Sequence, residues 1–292
     1  MPSNTEKDAY SGQATTGHEW DGIKELDTPL PRWWLWVLYA TIAWSFVYFV
    51  LYPAIPGLTS YSKGVLGYSS RVEVGNKIAA ARAEQGRFRD GIRQSPLAEI
   101  RTDDQLLRFA LAGGKAAFAD NCAPCHGVGG VGNPGGYPSL ADDAWIWGGS
   151  LEDIERTILY GVRNDHEDSR SSQMPIFGRG EDAVLTPDQI ADVAEFVLSM
   201  SKRSKNAEAM KRGAPLYKEN CASCHGPTGK GDSEQGAPRL NDAIWIHGGS
   251  REAIIAQITR PKNGTMPAWS GRLDTETIKM LTVYVHALGG GQ

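Results

Sequence analysis

Cys122-Ala-Pro-Cys125-His126 and Cys221-Ala-Ser-Cys224-His225 are two copies of one pentapeptide, the second beginning 99 positions after the first (122 to 221). Each reads as an attachment site for a c-type haem. On a first helical turn residues i and i+3 share a face, so two thiols reach the two vinyl groups along one edge of a porphyrin. The next residue, His126 or His225, is then placed to offer an imidazole nitrogen to the iron as proximal ligand. Redox disulfides and four-thiolate zinc sites also use CxxC pairs, but neither calls for a histidine directly after the second cysteine. The pentapeptides therefore predict two covalently bound haem c groups. They use all four cysteines of the chain, leaving none for a structural disulfide.

The repeat extends well beyond the pentapeptide. Gly114 and Phe118 precede the first copy as Gly213 and Tyr217 precede the second. After it come Tyr137-Pro138-Ser139-Leu140 and Ala237-Pro238-Arg239-Leu240, then Trp145-Ile-Trp-Gly-Gly-Ser150 and Trp245-Ile-His-Gly-Gly-Ser250. Each copy closes with an apolar helix, around Val193 to Met200 and Leu281 to Leu288. The helix before the haem motif is expected to cross the closing helix of its own repeat at the glycine, with Phe118 and Phe196, or Tyr217 and Tyr284, against them. Residues 201–212 between the repeats carry five basic and one acidic side chain and read as a short hinge or helix start.

A haem iron held by one histidine needs a further axial group or stays open. Each repeat has one Met-Pro pair at a matched place, Met174-Pro175 and Met266-Pro267. Proline pushes the preceding residue into an extended conformation, so each methionine sits on a loop with its thioether free to face the iron. A thioether ligand favours ferrous iron, which suits an electron carrier. The favoured expectation pairs each methionine with its own haem; the alternative exchanges them, Met266 serving the first haem and Met174 the second. Met200, Met210 and Met280 lack the proline and read as packing or surface residues. His247, which replaces Trp147 in the repeat, and His286 on the closing helix are the histidine alternatives. His166, in the acidic insert Asp165-His-Glu-Asp168, and His18, alone in a polar tail, read as solvated.

Trp33 to Pro53 is an uncharged run, WWLWVLYATIAWSFVYFVLYP, aromatic at both ends. At ~1.5 Å per residue it spans ~31 Å, one bilayer core, and its aromatic ends match an interfacial belt. It is too long for a cleaved signal segment. Residues 1–32 have six acidic and three basic side chains with little hydrophobic periodicity and read as a mostly flexible tail. Past the span, a charged, Ala-rich segment around Lys77 to Arg93 reads as a surface helix in a solvated connector. The organisation is thus a tail (1–32), a transmembrane helix (33–55), a connector (56–108) and two haem domains (109–201 and 206–290). Covalent haem attachment in bacteria takes place on the outer face of the inner membrane. The haem domains are therefore expected in the periplasm and the N-terminus in the cytoplasm, with one crossing through membrane lipid.

The chain has 292 residues, 41% hydrophobic and 22% charged, a globular composition. A net charge of -4 gives no support for nucleic-acid binding. Residues 113–200 hold five basic against fourteen acidic side chains, which reads equally as a field that steers a basic donor cytochrome and as an ordinary solvated acidic surface, whereas residues 213–292 hold eight against seven.

The paired helix, haem motif and Met-Pro pattern over residues 110–290 resembles class I cytochrome c domains, in which a proline carbonyl about a dozen residues after the haem histidine accepts its other ring N–H; Pro138 and Pro238 match that place. The fold class is then mainly α, one N-terminal transmembrane helix followed by two tandem class I cytochrome c domains. The stretch Asp21-Gly-Ile-Lys-Glu-Leu-Asp-Thr-Pro-Leu-Pro-Arg-Trp-Trp34, the single anchor ending in Tyr52-Pro53 and the duplicated Trp-Ile-x-Gly-Gly-Ser resemble the FixP/CcoP family, the dihaem subunits of cbb3-type cytochrome c oxidases. The resemblance covers the whole chain. It implies a subunit without a catalytic residue of its own, taking electrons from a donor cytochrome c and passing them through a monohaem cytochrome c subunit to a catalytic haem b/copper subunit that reduces oxygen and pumps protons. A stand-alone membrane-tethered dihaem carrier shares every haem feature. A dihaem peroxidase needs an open iron, against the two matched Met-Pro pairs, and a haem-based sensor needs a signalling domain that does not follow the haems.

Overall fold

The computed structural model describes residues 6–178, 180 and 183–289. Residues 1–5 of the expected tail and residue 290 of the expected second haem domain lie outside them. The chain separates into an N-terminal unit up to Ala83 and a larger unit from Glu84.

The N-terminal unit corrects the expectation of a flexible tail. Strands β1 (Thr15–Trp20) and β2 (Ile23–Leu26) pair antiparallel, with Trp20 opposite Ile23. Asp21 and Gly22 between them both have positive φ, 51° and 86°, the backbone of a two-residue hairpin turn whose twist matches its strands. The Trp20 indole Nε1 donates to Glu25 at 3.2 Å, and the Thr15 hydroxyl donates to the Glu6 carbonyl at 2.9 Å. Helix α1 (Arg32–Leu51) follows at Pro31, with no charge past Arg32 and no buried residue. It is the one helix among the described residues long and apolar enough to cross a bilayer. Its 20 residues give ~30 Å, and it is the membrane anchor.

Helix α2 (Ser70–Gln94) leads into the larger unit. There α3 (Leu97–Thr102) is followed by α4 (Asp104–Asn121), capped by the Asp103 carboxylate, and by α5 (Ala123–His126). Next come α6 (Leu151–Tyr160), α7 (Pro187–Met200), α8 (Ala207–Asn220), α9 (Ala222–His225), α10 (Arg251–Thr259) and α11 (Thr275–His286). The repeated Gly-Gly-Ser has a local purpose. Ser150 and Ser250 are the N-caps of α6 and α10, their hydroxyls accepting the backbone N–H of Asp153 and Ala253 at 3.1 Å. Helix α7 starts on a capping box between Thr186 and Gln189, with Pro187 in its first turn.

The expected glycine crossings are present, but between different helices from those expected. Helix α4 packs on α11 and α8 packs on α7. A Cβ on Gly114 would collide with the Met280 carbonyl oxygen, and one on Gly213 with that of Asp192. Phe118 meets Tyr284 with ring centroids 5.5 Å apart, and Tyr217 meets Phe196 at 5.1 Å. Each pre-haem helix therefore closes on the final helix of the other repeat. One core joins Phe118, Ile154 and Ile158 to Ile278, Leu281 and Val285; the other joins Tyr217, Ile254 and Ile258 to Ile190, Val193 and Val197. A first lobe is thus built from α4, α5, α6 and α11, and a second from α8, α9, α10 and α7. The physical reason is that the two closing helices present equivalent apolar faces, so burial is satisfied by either partner.

The first lobe is further closed by the end of α2. Arg93 pairs with the buried Glu276 carboxylate and Arg89 with Asp274 at 2.6 Å. The Lys279 ammonium donates to the carbonyls of Ile92, Arg93 and Ser95, the last at 2.8 Å, satisfying acceptors at and just past the end of α2. Burial by itself raises the Glu276 pKa, but hydrogen bonds from Arg93 and the backbone outweigh it and hold the group below its ordinary 4.5. A depressed carboxylate contributes stability above the unfolded pKa and loses it as pH falls through the folded one. In acid titrations followed by circular dichroism, Glu276→Gln is expected to be less stable than the parent at pH 7 and to lose less stability between pH 7 and the acid limit. Parallel curves contradict the assignment.

Candidate haem sites

Both haem motifs are formed where a long helix ends. Cys122 and Cys221 are the C-caps of α4 and α8, and their carbonyls accept the N–H of His126 at 2.9 Å and of His225 at 3.0 Å, closing one further turn. That turn sets the two cysteines of each copy three residues apart on one face with the histidine beside them. Gly127 and Gly226 then take φ of 77° and 75°, reversing the chain so that it runs back past the histidine.

The returning chain orients each imidazole. His126 Nδ1 lies 3.0 Å from the Pro138 carbonyl and His225 Nδ1 lies 3.0 Å from that of Pro238. A carbonyl only accepts, so in each case Nδ1 carries the proton and Nε2 keeps its lone pair for a metal. Burial pushes both imidazoles below their ordinary pKa, partly offset by the bond to the proline carbonyl, and so favours the neutral ring. In the second copy the buried Tyr217 hydroxyl also donates to the Gly226 carbonyl at 2.8 Å; the first copy has Phe118 there and no such bond.

Each methionine packs in the lobe that holds the other repeat's haem motif. Met266 packs in the core that contains Phe118, Ile154 and Ile158 and is bordered by Cys122, while Met174 packs in the core that contains Cys221, Tyr217 and Ile258. The cause lies in where the chain crosses between lobes. Val162, just past α6, forms an antiparallel bridge with Met266, its N–H donating to the Met266 carbonyl at 3.0 Å and its carbonyl accepting the Met266 N–H at 2.9 Å. Two further bonds repeat the symmetry: Phe177 N–H donates to the Ile258 carbonyl at 3.4 Å, and Trp269 N–H to that of Ile158 at 3.1 Å. Each methionine therefore travels with its closing helix.

The histidine alternatives lie elsewhere. The His247 ring occupies the space beside Gly136, as the Trp147 ring does beside Gly236, and His286 Nε2 stands 3.4 Å from Arg101. The His166 ring lies against Tyr160, with centroids 5.0 Å apart. Met280 packs at Gly113 and Met200 at Gly229, as expected of packing residues.

These residues fit haem c. All four cysteines are free thiols, and burial pushes those of Cys122 and Cys221 up to about 11. Among the described residues no three His, Cys, Asp or Glu side chains gather as a metal cluster, against a shared zinc site. Trp245 borders the core holding Met174 and Cys221, and its buried indole Nε1 has no hydrogen-bond partner among the described residues. A buried donor left so costs about 1–3 kcal/mol, which a carboxylate-bearing ligand would recover. Sequence reasoning noted Trp245 only as a repeat and missed Val162 and its neighbours.

Comparison with known proteins agrees with this geometry. Residues 12–59 match the N-terminal domain of cytochrome oxidase-cbb3 FixP, residues 111–201 match cytochrome c, and residues 208–285 match the cbb3-type cytochrome c oxidase subunit III. A cbb3-type cytochrome c oxidase subunit CcoP of Azospirillum brasilense is 50% identical over 98% of this chain and 99% of its own length. The FixP subunit of Bradyrhizobium sp. (strain ORS 278) is 48% identical over the full length of both chains, and that of Bradyrhizobium diazoefficiens 47%. The chain belongs to the CcoP/FixP family of cbb3-type cytochrome c oxidase subunits. It is a subunit of an oxidoreductase complex, anchored by an apolar N-terminal helix, and its cytochrome c domains bind haem c covalently and serve electron transfer.

Proposed function

We propose that the chain carries two haem c groups, each bound by one repeat and capped by a methionine from the other. Cys122 and Cys125 would form the thioethers of the first, with His126 and Met266 as axial ligands; Cys221 and Cys224 would form those of the second, with His225 and Met174. The observation that carries this is the packing of Met266 in the core bordered by Cys122 and of Met174 in the core containing Cys221. When bound, each group supplies a one-electron ferric/ferrous couple. The chain's own residues supply the rest. The Pro138 and Pro238 carbonyls hold the imidazoles in the ligating tautomer, the thioethers favour the ferrous state, and the apolar cores exclude water.

With both axial places filled from within the chain and no histidine on α1, the subunit transfers electrons and does not itself reduce oxygen. We assign it the step between a donor cytochrome c and a monohaem cytochrome c subunit, which serves a catalytic haem b/copper subunit. The sequence segments 1–32, 33–55, 56–108, 109–201 and 206–290 remain the division by role. Because covalent attachment occurs outside the cytoplasm, the haem segments lie in the periplasm and the N-terminus in the cytoplasm of a bacterial cell.

Purification of the tagged chain in mild detergent is expected to yield two haem c per chain, together with haem b and a many-helix partner. A lone chain with only haem c would indicate a stand-alone tethered carrier. The axial assignment is read in a chain holding only the first haem, made by Cys221→Ala and Cys224→Ala. There Met266→Ala is expected to abolish the six-coordinate low-spin spectrum and Met174→Ala to leave it. The reverse result restores local pairing.

A further inference from the structure

The two crossings between lobes differ in length. Thirteen residues (161 to 173) separate α6 from Met174, but only six (260 to 265) separate α10 from Met266. The longer crossing folds back on itself: Arg163 N–H donates to the Arg170 carbonyl at 2.7 Å, and Arg170 N–H to that of Gly161 at 3.2 Å. Arg163 takes a φ of 50°, a region that side chains other than glycine and asparagine seldom enter. In that conformation its guanidinium spans two loops. Nε donates to the Gly264 carbonyl at 2.7 Å and Nη1 to the Ser172 carbonyl at 2.9 Å. Gly264 lies two residues before Met266, and Ser172 two residues before Met174. The neighbouring Asn164 acts on one loop, its Nδ2 donating to the Met266 carbonyl at 2.8 Å. The shorter crossing begins with an arginine of its own, Arg260, but that residue is exposed, whereas Arg163 donates to both loops.

We propose that Arg163 is the positioning residue for both methionine loops, one planar guanidinium fixing the two sulfurs together so that the ligation of one haem is mechanically tied to that of the other. This rests on the reading of Met174 and Met266 as axial ligands. A guanidinium suits the task because its donors diverge in one rigid plane and stay charged at every working pH. A thioether is a weak ligand, so its bond to iron is sensitive to where the loop holds the sulfur.

The test uses the full holo chain purified in its complex, reading the far-red sulfur-to-iron charge-transfer band of each ferric haem and both reduction potentials. Met174→Ala and Met266→Ala, each measured first, are expected to remove one band apiece; if they do not, the ligand reading itself fails. Given those losses, Arg163→Ala is expected to weaken both bands and lower both potentials, while Asn164→Ala weakens only the first haem's band. Arg163→Lys, which keeps the charge without the fork and is the fallback if the alanine variant does not accumulate with haem, is expected to weaken both bands to a smaller extent. Arginine variants that leave either haem's band and potential at the parental values overturn the proposal.

Discussion

The close crossing of each pre-haem helix with a closing helix fixes everything else in the haem-binding unit. At Gly114 and Gly213 the partner's backbone oxygen stands where a side chain would begin, so the helices meet backbone to backbone and the aromatic one turn later is fully covered. A large residue there would force the crossing apart, and overpacking of this kind costs about 1–3 kcal/mol or more. Because the haem motif is the direct continuation of the pre-haem helix, the crossing also fixes where the cysteines and histidine stand. Because a Met-Pro loop precedes each of α11 and α7, the same contact decides in which lobe each methionine packs.

The parts of this arrangement that depend on local chemistry were legible in the sequence. The haem pentapeptides and the glycine one turn before an aromatic follow from spacing, and the proline carbonyl partner of each histidine from the resemblance to class I cytochrome c domains; the repeated serines were visible, but not their role as caps. The choice between closing helices was not. Val193 and Leu281 lie on equivalent apolar faces, and Phe196 and Tyr284 are equivalent aromatics, so hydrophobic periodicity is the same for local and exchanged pairing. What separates the two is the path of the segments at 161–173 and 260–265, where Val162 bridges Met266. Those segments have no periodicity to read. The hairpin at 15–26 was missed for another reason: its Asp21-Gly22 signal was present, but its strands are short and mostly exposed, so the alternation that marks a half-buried strand is absent.

Exchange has a mechanical consequence for an electron carrier. In a tandem pair of independent domains, each centre holds its ligands by itself and the linker sets the distance. Here α11 and Met266 come from one repeat and stand in the other's lobe, and α7 and Met174 do the same in reverse. The two haem motifs are therefore held in one folded body, with polar bonds at the crossing points and, within the second lobe, the buried carboxylates of Glu195 and Asp192 paired with the exposed guanidinium groups of Arg251 and Arg212. A fixed separation between the two haem motifs suits the proposed transfer from one haem to the next without a search by domain motion.

Each lobe is built from both repeats, and a cut in the linker at 202–206 tests this directly. A protease site placed there leaves one fragment with α4 to α7 and another with α8 to α11. After complete cleavage in non-denaturing buffer, size-exclusion chromatography is predicted to show the two fragments eluting together, both haems still low-spin. Separation into two fragments, each with an intact six-coordinate haem, would contradict the exchanged fold.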